Sequence, residues 1–304
     1  MEFNSLIFPK CKSSYESPIL FGKIVYIPRD SSRWVLTTPF VTSQSVNTLY
    51  KHLPGDFIQY GSYKCPCIPC VFYPCWRPSS KVLLYFHGNA EDACAANDWF
   101  FYISKYLSVH VLAMEYRGYG LYSGEPTAKN ILEDAEIIYK YTTKALCIKS
   151  ENIWVFGRSI GSGPACYLAS KYNPNLLILM SPFTSLRAAA KKYVGPLLQY
   201  LVAERFNNIH CIGNVKCPVF IAHGKKDNTV PVEHSIQLSK SVKSKCKLVL
   251  SETMDHNCLD FFKDFLKPLK EYCQSELSIS TRPKDDNTGL LIFPLKAFNK
   301  PSYK

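Results

Sequence analysis

From about residue 66 the chain alternates short apolar runs with amphipathic stretches. The runs are Ile68–Tyr73, Val82–Phe86, Val109–Met114, Ile153–Phe156, Leu176–Met180, Val219–Ala222 and Leu248–Leu250. Runs this short and this apolar predict strands buried on both faces. Between them, the pattern predicts helices over roughly Ala93–Tyr106, Ile160–Tyr172, Glu233–Val242 and Cys258–Tyr272. A further helix opens at Glu125-Pro126-Thr127, where Pro126 suits the first turn. Its Ile131, Leu132, Ala135, Ile138 and Tyr139 recur at helical spacing. Such alternation predicts an α/β fold with a mostly parallel central sheet and helices on both faces. There is no internal repeat. Residues 1–60 are weakly periodic and read as an N-terminal extension whose short strands pack on the domain edge. Residues 61–273 form the main domain, and residues 274–304 a C-terminal tail. The tail is highly charged over Arg282–Asn287 and ends in a mildly apolar stretch, Leu290–Phe298, expected to dock back on the domain.

Composition narrows the class. No stretch approaches the roughly 18 apolar residues of a membrane-spanning helix. Residues 1–30 lack the continuous apolar core of a secretory leader. Residue 2 is glutamate, which rules out the N-myristoylation pattern. These features predict a cytoplasmic protein, soluble or peripheral at the cytoplasmic face of membranes. The 13 cysteines are then mostly free thiols. Cys65, Cys67, Cys70 and Cys75 cluster, but their spacing lacks a pair of C-x2-C knuckles, so no metal site is expected. The net charge of +12 is concentrated late, with 20 basic and 11 acidic residues after position 160. No nucleic-acid module accompanies it. An anionic membrane surface is the partner it would fit.

The chemistry sits at strand ends. Gly157-Arg158-Ser159-Ile160-Gly161 fits G-x-S-x-G between the Ile153–Phe156 strand and a helix. That context makes Ser159 a candidate nucleophile on a tight turn, flanked by glycines because larger side chains would clash. Gly163 extends the small-residue run and is expected to let the helix lie close to the sheet. Asp227 follows the strand Val219–Ala222, and His256 follows Leu248–Leu250. Ligand sites of open α/β sheets lie beyond the carboxyl ends of their strands. The order Ser, Asp, His therefore assigns Ser159 as nucleophile, Asp227 as acid and His256 as base. Asp255 and Glu115 are weaker alternatives for the acid, and His223 is read as shaping the acid loop. His87-Gly88-Asn89-Ala90, directly after Val82–Phe86, reads as an oxyanion loop. The N–H of Asn89 (or Ala90) would be one donor and that of Ile160 the other.

The segments Tyr85–Asp92, Glu115–Gly120, Gly157–Gly161, Ser181–Ser185, His223–Pro231 and His256-Asn257 resemble an α/β-hydrolase subgroup. It includes the depalmitoylases called α/β-hydrolase domain-containing protein seventeen. The resemblance spans roughly residues 66–272 and implies the same triad. It also implies a small cap at roughly 182–215, whose Tyr193, Val194, Leu197, Leu198, Tyr200, Leu201 and Val202 would offer an acyl groove. Three departures stand out. Only Cys11 lies in the first sixty residues, against a cysteine cluster at the depalmitoylases' N-terminus. Arg158 stands where relatives often have Gln. Met254-Asp255 opens the His loop in place of small residues.

The expected function is hydrolysis of ester or thioester bonds through an acyl-enzyme, without cofactor or metal. An acylated protein or lipid-like molecule is the substrate, with palmitoyl-protein depalmitoylation as the specific form. A lipid or small-molecule carboxylesterase is the alternative within that class. A non-catalytic binding module is the alternative outside it.

Overall fold

Residues two apart on a strand share one face of a sheet, and here the six inner strands bury both faces. The computed structural model describes residues 8, 14–16, 22–34, 67–75, 77 and 79–279. Cys11, Cys65, Arg282–Asn287 and Leu290–Phe298 lie outside that set, as do the side chains of Leu197 and Tyr200. The strands are β1 (Lys23–Pro28), β2 (Cys67–Tyr73), β3 (Val82–Phe86), β4 (His110–Met114), β5 (Ile153–Arg158), β6 (Leu176–Met180), β7 (Val219–Gly224) and β8 (Cys246–Ser251). They form one sheet in the order β1-β2-β4-β3-β5-β6-β7-β8. The β1–β2 and β2–β4 pairs are antiparallel, and every other pair is parallel. This is the mostly parallel sheet that the apolar runs predict.

The helices are α1 (Asn97–Leu107), α2 (Ala128–Lys140), α3 (Ser162–Lys171), α4 (Leu186–Leu198), α5 (Asn208–Ile212), α6 (Glu233–Ser241) and α7 (Lys267–Glu271). On one face Leu84, Val155, Leu177 and Ile221 pack with Ile131 and Ala135 of α2, Leu168 of α3 and Leu238 of α6. On the other, Tyr85, Phe156, Ile178 and Phe220 pack with Phe100 of α1 and Leu269 of α7. Each Leu, Ile, Val or Phe side chain among these, fully buried, contributes about 1.5–3 kcal/mol. No helix among the described residues is long and apolar enough to cross a membrane.

Side-chain bonds shift three expected helix starts. Asp92 Oδ1 accepts the Cys94 N–H at 3.0 Å and Glu115 Oε2 accepts that of Ala93 at 3.2 Å. Residues 93–96 are thereby held in turns, and α1 begins at Asn97. Thr127 caps α2 by accepting the Asn130 N–H at 3.1 Å, so Pro126 precedes the cap and is not in the first turn. Asp260 accepts from Phe262 and Lys263, so the last helical stretch starts at Phe261 rather than Cys258. It runs through α7 to Glu276, with π-helical turns Phe261–Leu266 and Tyr272–Glu276 on either side.

The N-terminal region supplies the edge strand β1. Just beyond it, Arg29 joins Arg117 on the buried carboxylate of Asp134 in α2. In β2, Cys67 and Cys70 are buried, and being three apart they point to opposite faces. Among the described residues no group of three or more His, Cys, Asp or Glu side chains is placed to hold a metal.

Candidate active site

β5 feeds α3 through a one-turn helix, Ser159–Gly161, and Ser159 takes a left-handed φ of 50°. For a residue other than glycine this conformation costs about 1–2 kcal/mol. Close packing enforces it. A Cβ on Gly157 would lie 2.3 Å from the Gly161 carbonyl oxygen, and one on Gly161 would lie 2.1 Å from that of Phe86. The turn is therefore pressed against the end of β3, with Gly161 lying against the backbone of Phe86 and His87. Gly163 serves differently from the expectation: a Cβ there would meet the Phe206 ring at 2.4 Å. It makes room for the segment between β6 and β7, not for the sheet.

Asp227 lies three residues past β7 and His256 five past β8. A Cβ on Gly224 would sit 1.9 Å from the Met254 carbonyl oxygen, so only glycine lets the two loops approach this closely. The result is a continuous chain of contacts. His256 Nε2 is 3.1 Å from Ser159 Oγ, and His256 Nδ1 is 2.7 Å from Asp227 Oδ2. Ser159 and Asp227 are buried, and the His256 side chain is 12% exposed. With Nδ1–H donating to the carboxylate, Nε2 is free to accept the Ser159 hydroxyl proton, the arrangement a general base requires.

The carboxylate is held from four sides. Asp227 Oδ1 accepts the N–H groups of Thr229 at 2.8 Å and Val230 at 2.7 Å. Its Oδ2 also lies 3.2 Å from His223 Nε2. Burial works to raise this carboxyl, but the bonds from His223, His256 and Val230 outweigh it and keep it well below the usual carboxylate range. The wholly buried His223 also donates to the Val230 carbonyl at 2.9 Å and accepts from Ser235 Oγ at 2.6 Å. The structure does not bring the two alternative acids to His256. Asp255 Oδ1 accepts the N–H groups of Asn257 and Cys258. Glu115 is buried beneath the Asn89 loop, on His87 Nε2 and the N–H groups of Ala93 and Tyr116.

Tyrosines also support that loop. Tyr116 donates to the His87 carbonyl at 2.9 Å and stacks on the His87 ring, and Tyr119 donates to Asn89 Oδ1 at 2.8 Å. What sequence reasoning missed is this supporting role, even for Glu115, which it offered as an acid. Glu115 ends an apolar strand run, and that signal marks it as a buried charge. Asn208 carried no signal. It is buried and joins Ser162 Oγ to the Phe183 carbonyl, and Ser162 in turn donates to the Ser159 carbonyl at 2.6 Å.

Between β6 and β7, where the cap is expected, lie α4, a short helix Gln199–Leu201, and α5. Gly195 kinks α4 with φ of 81°. The kinked helix leans on the acid loop: Tyr193 donates to the Thr229 carbonyl at 3.1 Å, and Lys192 reaches that of Asn228. The outer side is apolar and open, with Tyr193 65%, Leu198 56% and Leu201 75% exposed.

No family model matches the chain. Alpha/beta hydrolase domain-containing protein 17B of Homo sapiens is 30% identical over 269 residues, which cover 84% of this chain and 91% of that protein. Alpha/beta hydrolase domain-containing protein 17C of Xenopus tropicalis is 29% identical over 212 residues, covering 69% and 67%. Among solved structures, a Pyrococcus furiosus esterase matches with a TM-score of 0.56 at 18% identity, over 81% of this chain and 97% of that one. Est1E from Butyrivibrio proteoclasticus matches at 0.55 and 18%, over 70% and 95%. At such identities these two structures speak for the fold.

Proposed function

The chain belongs to the alpha/beta hydrolase domain-containing protein 17 family, and from that premise we propose that it is a serine hydrolase that removes long acyl chains from cysteine thiols of membrane-associated proteins. The observation that carries the chemistry is the Ser159–His256–Asp227 chain of contacts. His256 Nε2 takes the hydroxyl proton as Ser159 Oγ attacks the thioester carbonyl carbon. Negative charge then collects on the carbonyl oxygen, where the N–H groups of Ile160 and Asn89 receive it. Each such donor contributes about 3 kcal/mol in comparable sites. The tetrahedral intermediate collapses with cleavage of the C–S bond, and the departing sulfur takes the proton back from Nε2. Water, deprotonated by the same imidazole, then hydrolyses the acyl-enzyme. Asp227 keeps the Nδ1 proton in place and offsets the imidazolium charge throughout.

The substrate assignment is supported by the exposed apolar side of the segment leaning on the acid loop. Tyr193, Val194, Leu198 and Leu201 are exposed there, beside the exposed Lys191 and Lys192. Apolar side chains framed by lysines suit an anionic leaflet at the cytoplasmic face of a membrane, where each basic residue contributes roughly 1 kcal/mol. The test compares palmitoyl-cysteine peptides with acetyl esters, alongside binding to anionic liposomes at low and raised salt. The proposal expects preferential palmitoyl thioester cleavage and salt-sensitive binding. Efficient acetyl ester cleavage with neither of these would leave a carboxylesterase of small molecules.

A further inference from the structure

Arg158 immediately precedes Ser159, yet its buried side chain runs to two other segments of the site, the Asn89 and His256 loops. Nη1 pairs with Glu91. Nη2 donates to the His256 carbonyl at 2.8 Å and to Asn257 Oδ1 at 3.0 Å. Glu91 Oε2 in turn accepts the Gly88 N–H at 3.0 Å, in the loop that carries Asn89. A Cβ on Gly88 would lie 2.6 Å from Arg158 Nη1, so that loop closes directly on the guanidinium. The Trp99 ring covers the guanidinium, with its centroid 5.8 Å away.

We infer that Arg158 is a positioning residue for the hydrolysis: its guanidinium clamps the His256 loop to the Asn89 loop and so sets the imidazole against Ser159. The inference rests on the triad reading above. The His256 loop has no regular structure over residues 252–260. Asp255 shapes it locally, and the Lys226 N–H holds it at Met254, 3.2 Å away. Arg158 grips it at His256 and Asn257 themselves. A planar guanidinium donates in fixed directions to acceptors on two sides at once. Lysine offers a point charge and glutamine a single short amide, so neither spans Glu91 and the His256 carbonyl together. The Arg158 side chain bonds to Glu91, the His256 carbonyl and Asn257, so its effect falls on the geometry of proton transfer.

The test uses the full chain with Arg158→Gln, Arg158→Lys, Glu91→Ala, the Gln/Ala double variant and a Ser159→Ala control. Turnover on a p-nitrophenyl ester is expressed per site titrated with a fluorophosphonate. Displacing a catalytic group by about an ångström costs on the order of 100-fold, and that is the expected fall in kcat for Arg158→Gln. KM should stay within about threefold, because only positioning is lost. Arg158→Lys should recover roughly a tenth of wild-type kcat. Glu91→Ala should fall about tenfold, and the double variant no further than Arg158→Gln, since the two act as one unit. Glu91 is partly exposed, so its variant carries the test should Arg158→Gln fail to fold. Turnover per titrated site within threefold of wild type in Arg158→Gln and Glu91→Ala, with Ser159→Ala inactive, overturns the clamp alone. An active Ser159→Ala overturns the triad reading and the clamp with it.

Discussion

Replacing Asp227 by asparagine keeps the shape of the side chain and removes one acceptor atom. The consequences follow from what each oxygen touches. Oδ1 accepts two backbone N–H groups, and Oδ2 faces His256 Nδ1 and His223 Nε2. If the amide NH2 turned toward the backbone, both N–H bonds would be lost, and the buried Val230 donor alone would cost about 1–3 kcal/mol. The amide oxygen therefore stays on Thr229 and Val230, and the NH2 meets His256. The imidazole then presents its Nδ1 lone pair to that NH2 and carries its proton on Nε2, facing Ser159 Oγ. In that tautomer it cannot accept the serine proton. Turnover should fall about 10⁴-fold, the scale of this change in other serine triads, or about 5 kcal/mol of barrier. Stability should also lose a pH limb. The folded-state Asp227 carboxyl is depressed, so its contribution is complete above the ordinary value of about 3.9 and is lost as pH falls below it. The gap in melting temperature between wild type and Asp227→Asn should thus narrow below about pH 4. The assay is initial rate on a p-nitrophenyl ester at neutral pH, with thermal melts across the acid range. A folded Asp227→Asn enzyme keeping a tenth or more of wild-type turnover would refute the tautomer reasoning.

Other perturbations separate the neighbouring roles. His256→Ala should lower kcat by at least about 10³-fold. His223→Ala should cost less than about tenfold in kcat but about 1–3 kcal/mol in stability, because Val230 and Ser235 lose a buried partner; steady-state rates and urea melts check both, and the reverse ranking would exchange the two histidines. Asp134→Ala should destabilise by about 2–3 kcal/mol, less than the ~3–5 of a fully buried pair because Arg29 and Arg117 are partly exposed. A urea midpoint unmoved by that substitution would show that the contact between β1 and α2 holds nothing.

The sheet was legible because parallel strands covered by helices on both faces read as continuous apolar runs. Val82–Phe86 and Leu176–Met180 coincide with β3 and β6 to the residue. β1 gave only a weak pattern, since Lys23–Pro28 lies at the sheet edge and its ends are half-exposed. Helix starts were misplaced where a distant or adjacent carboxylate, such as Glu115 or Asp260, captures backbone N–H groups. Within the candidate site, the meeting of Ser159, Asp227 and His256 was legible because each follows an apolar run in the loop where ligands of open α/β sheets bind. The supporting contacts were not. Arg158 meets Glu91 and Asn257 across 67 and 99 residues of chain, and no local period encodes such a meeting. Its local signal is a charge at the last position of a buried strand.

That Ser159 is the nucleophile is tested most directly by its covalent adduct. The full chain is treated with a fluorophosphonate, digested and mapped by mass spectrometry, with Ser159→Ala treated in parallel. Only the hydroxyl is lost in the variant, so its melting temperature should match that of the wild type. The triad reading predicts a single stoichiometric adduct on the peptide carrying Ser159 and none on the variant. An adduct on another residue, or undiminished labelling of Ser159→Ala, would contradict it.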